Sequence, residues 1–597
     1  MKRVGLGVCT QSIRRSVDSG AQPCAPTKGF ASSSAFDVIS ALFIAVTLSA
    51  CGSIIRPITP TATNAPSPIF VQPTSVSLST ATATPTPLPL PTPAPTDTPT
   101  LTPTPESVWL LGQVRVYPGP EHYDGDLLSF EFPIENSDQV DDPSQSTLSV
   151  DGESLGDTRP YIASSPLRAP SLIFEWAWDT TRQTGIHEIT LSIPTKKGSA
   201  VSETFHVEIR PASERPLQET RADWATERTA CCRIDFITNT AAARDMPMIS
   251  KHVQDDVQYV ENRFHHHLNE VFPIILLDNV WGNGAYAASE IVLSYVDRAY
   301  VSIDVDSVVR HEATHYATRD LGPETPTIFV EGIAVYVAGG HYKPEPLPER
   351  AAALLPLNLY IPLDDLANNF RDRQHEIAYL EAAGLVSYLV DTYGWDRFML
   401  VYGAEDLNAE DAANWLDKAF NQVYGIGLDQ VEKDYKAWLG EQDVSNQIDD
   451  LRLTIKLFDT IRRYQDLYAP YQEAFPPFDE AEKRDITAEF IREPNAPENV
   501  ALEALLISAR EAIQQRHYDT ADQLIDTVNA TMDDGDFTRE PLGDALAVAE
   551  AVDAAGYVGL QITLDGDHAK VTAMKPSGPE LFDLEVMKSQ GEWVVEP

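Results

Sequence analysis

Two histidines and a glutamate stand in a spacing that can hold a metal ion. The segment RHEATHY, residues 310–316, contains an H-E-x-x-H motif in which His311 and His315 flank Glu312. Residues four apart on a helix share a face, so both imidazoles can reach one cation. Glu312 projects about 100° round the helix from His311, close enough to touch a water bound to that cation. The spacing therefore indicates metal-assisted hydrolysis with a carboxylate base.

A second helix offers a third ligand. The segment TIFVEGIAVYVA begins at Thr327 and stops before two glycines at 339–340, and it places Glu331 sixteen positions after His315. An acid inside an otherwise apolar helix is costly to bury unless a partner neutralises it, and a metal ion would do so. Two histidines and one glutamate are the protein ligands of one class of catalytic zinc site, whose fourth position holds water.

The helices that must position these residues have clear boundaries in the sequence. Asp304, Asp306 and Ser307 supply capping groups and negative charge before the motif, and Gly-Pro at 322–323 supplies a stop. Gly332 in the second helix has little helix propensity, but it lets another backbone come close. We therefore expect the motif near the middle of one helix and a second helix closely packed by its neighbours.

These segments together resemble the gluzincin peptidases, in particular the peptidase-MA-like family of bacterial proteins. Members of that family show H-E-x-x-H and then a segment containing E-G-x-A-x-Y, which this chain carries as FVEGIAVY at 329–336. The similarity continues to Tyr379, to GLVSYL at 384–389, to Tyr-Gly at 393–394 and to DYKAWL at 434–439. It implies a zincin-like α+β fold and a gluzincin-type zinc metallopeptidase.

The resemblance implies a role for each residue that matches the motifs. His311, His315 and Glu331 would hold one catalytic zinc ion. Glu312 would take a proton from the zinc-bound water and later pass it to the leaving amine.

Two further parts of the site follow from the same resemblance. An additional donor should stabilise the oxyanion, and Tyr379 has the matching place in the family pattern, ahead of Tyr336 and His341. The segment SEIVLSY, residues 289–295, reads as a strand, and in the family a comparable edge strand pairs with extended substrate.

The sequence departs from the family pattern in three ways. Phe329 replaces a common tryptophan, which the fold should tolerate. Val335 stands where many relatives of thermolysin carry an acid that orients a ligand histidine, so another residue must do this or zinc binds more weakly. The exopeptidase signature G-x-M-x-N is missing, which argues against an aminopeptidase and favours an endopeptidase.

The N-terminal sequence predicts the compartment. Residues 38–50 form an apolar run of 13 residues, too short to span a membrane and typical of a signal-peptide core. The run ends at Cys51 in a segment, LSACG, that resembles the bacterial lipoprotein processing box; this implies removal of residues 1–50 and attachment of diacylglycerol to the Cys51 thiol. Residues 81–105 hold nine prolines and nine threonines, so 51–106 should be an extended stalk. We expect an outward-facing protein, lipid-anchored to the bacterial cell membrane.

The remaining chain is expected to form several domains. Short alternating runs between turn signals in residues 107–212 favour an immunoglobulin-like β-sandwich of about seven strands. Residues 213–442 would form the peptidase domain and 443–540 a helical region. Residues 541–597 should add a small helix and an antiparallel sheet, and together with 500–540 they resemble an NTF2-like domain.

Charge and cysteine content set further limits. The chain has 44 Lys and Arg against 89 Asp and Glu, a net charge of −45, which repels phosphate backbones and excludes broad-surface nucleic-acid binding. Of its five cysteines only Cys231 and Cys232 lie in the folded part. Two buried unlinked thiols are the simpler prediction for this pair, and a disulfide between neighbours is the alternative.

The leading hypothesis is therefore a lipid-anchored zinc endopeptidase that acts on proteins or peptides outside the cell membrane. The alternative is a catalytically inactive metal-binding ectodomain that serves as a binding or adhesion module. Glu312 speaks against that alternative, because a site for binding alone does not require a base.

Overall fold

The computed structural model describes residues 114–596, apart from 120, 135–138, 158, 166–167, 197, 199, 267, 269–270, 279–283, 288–289, 302–303, 342, 406 and 470–493. All of them belong to one compact unit, Thr100–Pro597. The predicted signal peptide, the lipidation site Cys51 and the stalk lie outside the described residues. No described helix is long and apolar enough to cross a membrane.

The N-terminal part consists of two four-stranded antiparallel sheets, with strand orders β1-β2-β6-β5 and β4-β3-β7-β8. Its strands are β1 Arg115–Tyr117, β2 Leu127–Ile134, β3 Thr147–Val150, β4 Glu153–Asp157, β5 Arg159–Ser165, β6 Arg168–Asp179, β7 Gly185–Pro194 and β8 Ala200–Ile209. Both sheets contribute to a shared core, where Phe130 of β2 meets Phe205 of β8 edge to face. The eight strands are one more than the about seven predicted for residues 107–212. The immunoglobulin-like assignment stays a prediction.

The central domain is built on a mixed sheet in the order β12-β13-β11-β10-β9. The strands are β9 Trp224–Arg228, β10 Cys232–Ile237, β11 Phe272–Leu277, β12 Ala285–Ala287 and β13 Ile291–Ser294. The three inner strands are parallel, and the outer two run antiparallel to their neighbours. The strand predicted over 289–295 is therefore present as β13, but its expected place at the edge was wrong, because the short strand β12 covers it.

Nine helices complete this domain in the part of the chain that the structure describes. They are α1 Ala241–Phe264, α2 Val305–Thr318, α3 Thr327–Ala338, α4 Leu347–Ala352, α5 Leu363–Asn369, α6 His375–Tyr393, α7 Trp395–Tyr402, α8 Ala412–Tyr424 and α9 Leu428–Leu439. α1 lies against both the sheet and α2, and α3 packs between α2 and α6. One continuous hydrophobic core joins the sheet to these helices.

Gly332 explains the close crossing of α3 and α6. A Cβ atom at this position would lie 2.8 Å from the carbonyl oxygen of Ala382 on α6. Such an approach to a backbone oxygen is sterically forbidden, so the crossing requires glycine. The prediction that Gly332 admits a second backbone is confirmed.

The structure links Cys231 and Cys232 through a disulfide. The prediction of two unlinked thiols was therefore wrong, and the alternative of a ring between neighbours applies. The pair lies at the start of β10, where Cys232 is buried and the Thr229 hydroxyl approaches the Cys231 sulfur at 3.2 Å. The sequence pattern does not distinguish a disulfide from two free thiols, because either form can be buried at this position.

The C-terminal part consists of helices followed by an antiparallel meander. Its elements are α10 Ile448–Tyr468, α11 Pro497–Gln514, α12 Tyr518–Asp534, α13 Leu542–Ala554, β14 Val558–Asp565, β15 His568–Lys575, β16 Gly578–Ser589 and β17 Glu592–Val595. The predicted helical region over 443–540 is present as α10, α11 and α12, and α11 and α12 meet near His517. The NTF2-like assignment stays a prediction. Tyr300 and Val301, which precede α2, are buried in the core of the C-terminal helices, so this region supports the segment that leads into the motif helix.

Candidate metal centre

Local sequence features fix the start of the motif helix α2 and the end of the next helix, α3. The Asp304 side chain caps α2 by accepting a hydrogen bond from the backbone N–H of Ser307. His311 and His315 follow one turn apart, and both approach Glu331 of α3. Helix α3 ends where Gly339 adopts a left-handed conformation, with φ of 81°. The two predicted helices are confirmed.

Three donor atoms converge between α2 and α3. The Nε2 atoms of His311 and His315 are 3.0 Å apart. They lie 3.5 Å and 3.2 Å, respectively, from one carboxylate oxygen of Glu331, Oε2. In a tetrahedral zinc site with bonds of about 2.0–2.1 Å, neighbouring donors are separated by roughly 3.3 Å. The spacing and the chemistry of these donors thus fit one zinc ion.

The charges of the three side chains are strongly coupled. Burial disfavours charge on all three, and it lowers the pKa of His311 to about 4. For His315 the nearby Glu331 carboxylate outweighs burial and raises the pKa to about 9. The same attraction overcomes burial at Glu331 and holds the pKa of its carboxyl group well below the usual range. Without a metal the site therefore holds a carboxylate beside one imidazolium, and a metal cation would displace that proton.

Glu312 lies beside this trio as a buried carboxyl group. Its exposed fraction is 6 %. Burial raises its pKa to about 7. The attraction of His315 opposes this shift, and the repulsion from Glu331 adds to it. A carboxyl group with a pKa near neutrality can both accept and release a proton under physiological conditions.

A second polar cluster borders the first. His341 Nδ1 lies 3.2 Å from Oε2 of Glu376, and His375 Nδ1 lies 3.1 Å from Oε1 of the same residue. Arg462 donates a longer hydrogen bond, 3.4 Å, to Oε1. Glu376 is buried, yet the two histidines hold the pKa of its carboxyl group below the usual range. The carboxylate thus fixes the rings of both histidines.

Tyr379 connects the two clusters. Its ring stacks on His341 at a centroid distance of 4.6 Å and lies 6.3 Å from the ring of His311. The ring of His341 itself is 6.0 Å from that of His311. Two of the three predicted oxyanion donors therefore lie next to the centre. Tyr336 does not, because its ring stacks on Trp395 and its hydroxyl accepts a hydrogen bond from Arg263.

His375 and Glu376 are the residues next to the centre that the sequence reasoning missed. A signal was present, because His375 and Tyr379 are one helical turn apart and so share a face of α6. Their proximity to His341 depends on the packing of α6 against α3, which no local pattern encodes.

Packing accommodates the side chains at the two substituted positions of the family pattern, but nothing described replaces the missing acid. Phe329 replaces the tryptophan within an aromatic cluster formed with Phe398, Trp415 and Phe420. Val335 is fully buried in the hydrophobic core. Among the described residues, no side chain receives a hydrogen bond from Nδ1 of His311 or His315, so neither ligand candidate has an orienting acid there.

Comparison with known proteins relates this part of the chain to peptidases. Residues 258–441 match the Peptidase MA superfamily. This segment contains both histidines of the motif, Glu312, Glu331 and Tyr379. A crystal structure of an aminopeptidase N family protein from Idiomarina loihiensis is 10% identical, with alignment over 81% of this chain and 97% of that chain and a TM-score of 0.17. No curated protein matches the chain.

Proposed function

We propose that the protein is a zinc-dependent endopeptidase of the gluzincin type. The observation that carries the proposal is the convergence of two imidazole nitrogens and one carboxylate oxygen within 3.0–3.5 Å, beside the buried carboxyl group of Glu312. The match of this segment to a peptidase superfamily supports hydrolysis of peptide bonds over other reactions of hydrolytic zinc sites.

His311, His315 and Glu331 would hold the zinc ion. When bound, zinc supplies Lewis acidity: it lowers the pKa of its water and polarises the peptide carbonyl. Glu312 would receive the proton of the attacking water and later return it to the leaving amine.

Tyr379 is the proposed hydrogen-bond donor to the oxyanion, and the ring of His341 stacks on it beside the metal centre. A hydrogen bond aimed at charge that develops only in the transition state accelerates the reaction without tightening substrate binding. Stacking on His341 and burial among aromatic rings hold Tyr379 in one orientation, as such a donor requires.

The proposed setting is the outer side of the bacterial cell membrane. Attachment at Cys51 and a stalk rich in proline and threonine would hold the peptidase domain away from the lipid surface, where it would act on proteins or peptides. This part of the proposal depends on the N-terminal sequence alone.

Substitution of Glu312 by Gln tests the reaction. The change removes the base and keeps every proposed ligand, so we expect zinc content to stay the same while cleavage of an unfolded protein substrate falls by at least about 100-fold. Both quantities are measured on the same full-length samples, with Glu410→Gln at an exposed position as the matched control.

Each other result has a distinct meaning. Zinc in both proteins with cleavage in neither would favour the metal-binding module. Undiminished cleavage by Glu312→Gln would remove Glu312 from the mechanism.

A further inference from the structure

A cavity of about 410 Å³ lies between the segment that leads into α2 and the C-terminal helices α10 and α11. Its size is within the range of small-ligand sites, roughly 300–1,000 Å³, so it can admit a few side chains of a peptide. Most of its wall is apolar, including Val301, Leu457, Phe458 and Ile513.

The polar part of the wall includes a guanidinium group. Arg510 of α11 donates one hydrogen bond through Nη1 to the carbonyl oxygen of Ala299. Within the described part of the chain, its buried Nε has no hydrogen-bond partner and no carboxylate forms an ion pair with it. The adjacent acid, Glu511, instead accepts a hydrogen bond from Gln561 at 2.9 Å. Burial lowers the pKa of Arg510, although the attraction of Glu511 opposes this. A desolvated cation of this kind favours an anionic partner.

The other charged side chains of the wall already have partners. Arg510 and Lys343 are its cations, and Asp304 is its acid. Lys343 forms an ion pair with Asp450, with 3.5 Å between Nζ and Oδ1. Asp304 is engaged as the cap of α2, where its two oxygens accept hydrogen bonds from the backbone and hydroxyl of Ser307. Arg510 is therefore the cation of this wall with which no described carboxylate forms an ion pair.

The cavity borders the candidate metal centre. His341 lines it and has its ring 6.0 Å from that of His311. Asp304, another lining residue, precedes His311 by seven residues, or about 10 Å along a helix. His341 thus belongs both to the wall of the cavity and to the surroundings of the metal centre.

We propose that this cavity binds the carboxyl-terminal end of a peptide substrate, with the terminal carboxylate on Arg510 and apolar side chains against the cavity wall. The proposal rests on the peptidase function above and refines it: cleavage takes place near the carboxyl end of chains that terminate in apolar residues. Arginine suits this role because its planar fork matches both oxygens of a carboxylate.

Binding of three hexapeptides to full-length Glu312→Gln tests the proposal without turnover. The first ends in leucine with a free carboxylate, the second is its terminal amide, and the third is an amide that carries glutamate next to the end. Calorimetry should show the free acid binding about 10- to 100-fold more tightly than either amide, the range expected for hydrogen bonds to a charged group. Adding Arg510→Gln should remove this difference, whereas adding Arg516→Gln, at an exposed arginine past the end of α11, should keep it.

Equal affinity of the acid and its amide for Glu312→Gln overturns the proposal even if Arg510→Gln does not fold. Tight binding of the amide with glutamate also overturns it, because any carboxylate would then suffice. Carboxylate preference that survives Arg510→Gln assigns the anion to another group. Failure of the peptidase function has a separate signature: the carboxylate preference in binding remains, but the protein with Glu312 intact cleaves none of the peptides.

Discussion

The donor side chains of the candidate metal centre bring opposite charges into a space that excludes most water. Glu331 is only 8 % exposed, and a carboxylate so buried requires a cation close by. In the absence of metal, the imidazolium of His315 fills that requirement. A metal ion would take the place of that proton as the cation beside Glu331. Removing one of the three donor side chains should therefore decide whether metal is retained.

We expect His315→Ala to lose zinc and His375→Ala to retain it. The first change removes a donor that lies 3.2 Å from Glu331. The second removes a histidine of the adjacent cluster, which the proposed centre does not use. Mass spectrometry of metal content after dialysis against a weak chelator compares the two directly. Zinc that survives in His315→Ala but disappears in His375→Ala would move the site to His341, His375 and Glu376.

Glu381 on α6 is another buried acid, and no described cation forms an ion pair with it. It is fully buried, and its Oε2 accepts a hydrogen bond of 2.9 Å from the backbone of Ile361. Its Oε1 has no hydrogen-bond partner among the residues that the structure describes. Burial raises the pKa of the Glu381 carboxyl group well above its usual value. Repulsion from Glu432 adds to this shift, while the Ile361 hydrogen bond and the attraction of Lys436 oppose it. The folded protein thus holds this proton more tightly than the unfolded chain does.

The raised pKa predicts that stability declines with rising pH. The contribution of protonated Glu381 is complete below the unfolded pKa, near about 4.3, and is lost as pH rises toward the folded pKa. Each unit between the two values corresponds to about 1.4 kcal/mol in the free energy of unfolding. Glu381→Gln should flatten the dependence of melting temperature on pH above about 5, and exposed Glu410→Gln should leave it unchanged. Parallel curves for all three proteins would show that Glu381 does not titrate in this range.

At the scale of elements, the crossing of α3 and α6 sets the distance between the metal centre and the cluster of histidines. Glu331 is next to Gly332 on α3. On α6, Tyr379 lies three residues before Ala382, whose carbonyl faces Gly332. Gly384, farther along α6, is also tightly enclosed, since a Cβ there would lie 2.5 Å from the hydroxyl oxygen of Tyr435. Glycines at the crossing and behind it therefore fix the place of α6.

Gly332→Ala should destabilise the protein, although alanine favours a helix. Helix propensity would contribute about 1 kcal/mol in favour of alanine. The added Cβ would meet the Ala382 carbonyl oxygen at 2.8 Å, and a backbone atom cannot rotate away, so overpacking of about 1–3 kcal/mol or more should prevail. Denaturant unfolding should show a lower midpoint, and Tyr379 should move away from His311 with a loss of activity. A raised midpoint would mean that α6 shifts without penalty.

The elements differ in how far the sequence could predict them. The bounds of α2 and α3 follow from local features, namely a capping aspartate at 304 and a left-handed glycine at 339, and both helices were predicted. Strand β13 was predicted but misplaced at the sheet edge, because its cover, β12, is three residues long and has no pattern of its own. The contact of His341 with Glu376 joins residues 35 positions apart, and only tertiary packing brings them together.

At the scale of the molecule, the C-terminal helices hold the chain segment that enters the motif helix. Arg298 and Glu503 form an ion pair that is almost completely buried, and the Tyr464 hydroxyl donates to the same carboxylate. Arg298 also donates to Asn495 Oδ1 at 2.9 Å. Together with the hydrogen bond from Arg510 to the Ala299 carbonyl, these contacts fasten the segment that precedes the first residue of α2.

Two substitutions that each remove the acid of an ion pair should differ greatly in their effect on stability, because the Arg298–Glu503 pair is buried and the Lys251–Asp255 pair is exposed. Glu503→Ala leaves the Arg298 guanidinium buried without its carboxylate, which should cost about 3–5 kcal/mol in the free energy of unfolding. Asp255→Ala breaks an exposed pair with Lys251, 2.7 Å long, and should cost no more than about 1 kcal/mol. Thermal unfolding and limited proteolysis of the two full-length variants compare these losses.

A third variant separates the loss of a partner from the value of the pair itself. Replacing both residues, as Arg298→Met with Glu503→Leu, removes both buried charges at similar volume and should recover most of the stability that Glu503→Ala loses. If the double variant is as unstable as Glu503→Ala, the hydrogen bonds from Arg298 to Asn495 and to the Pro494 carbonyl hold the segment before α2. If Glu503→Ala is no less stable than Asp255→Ala, the C-terminal helices do not support the motif helix through this pair.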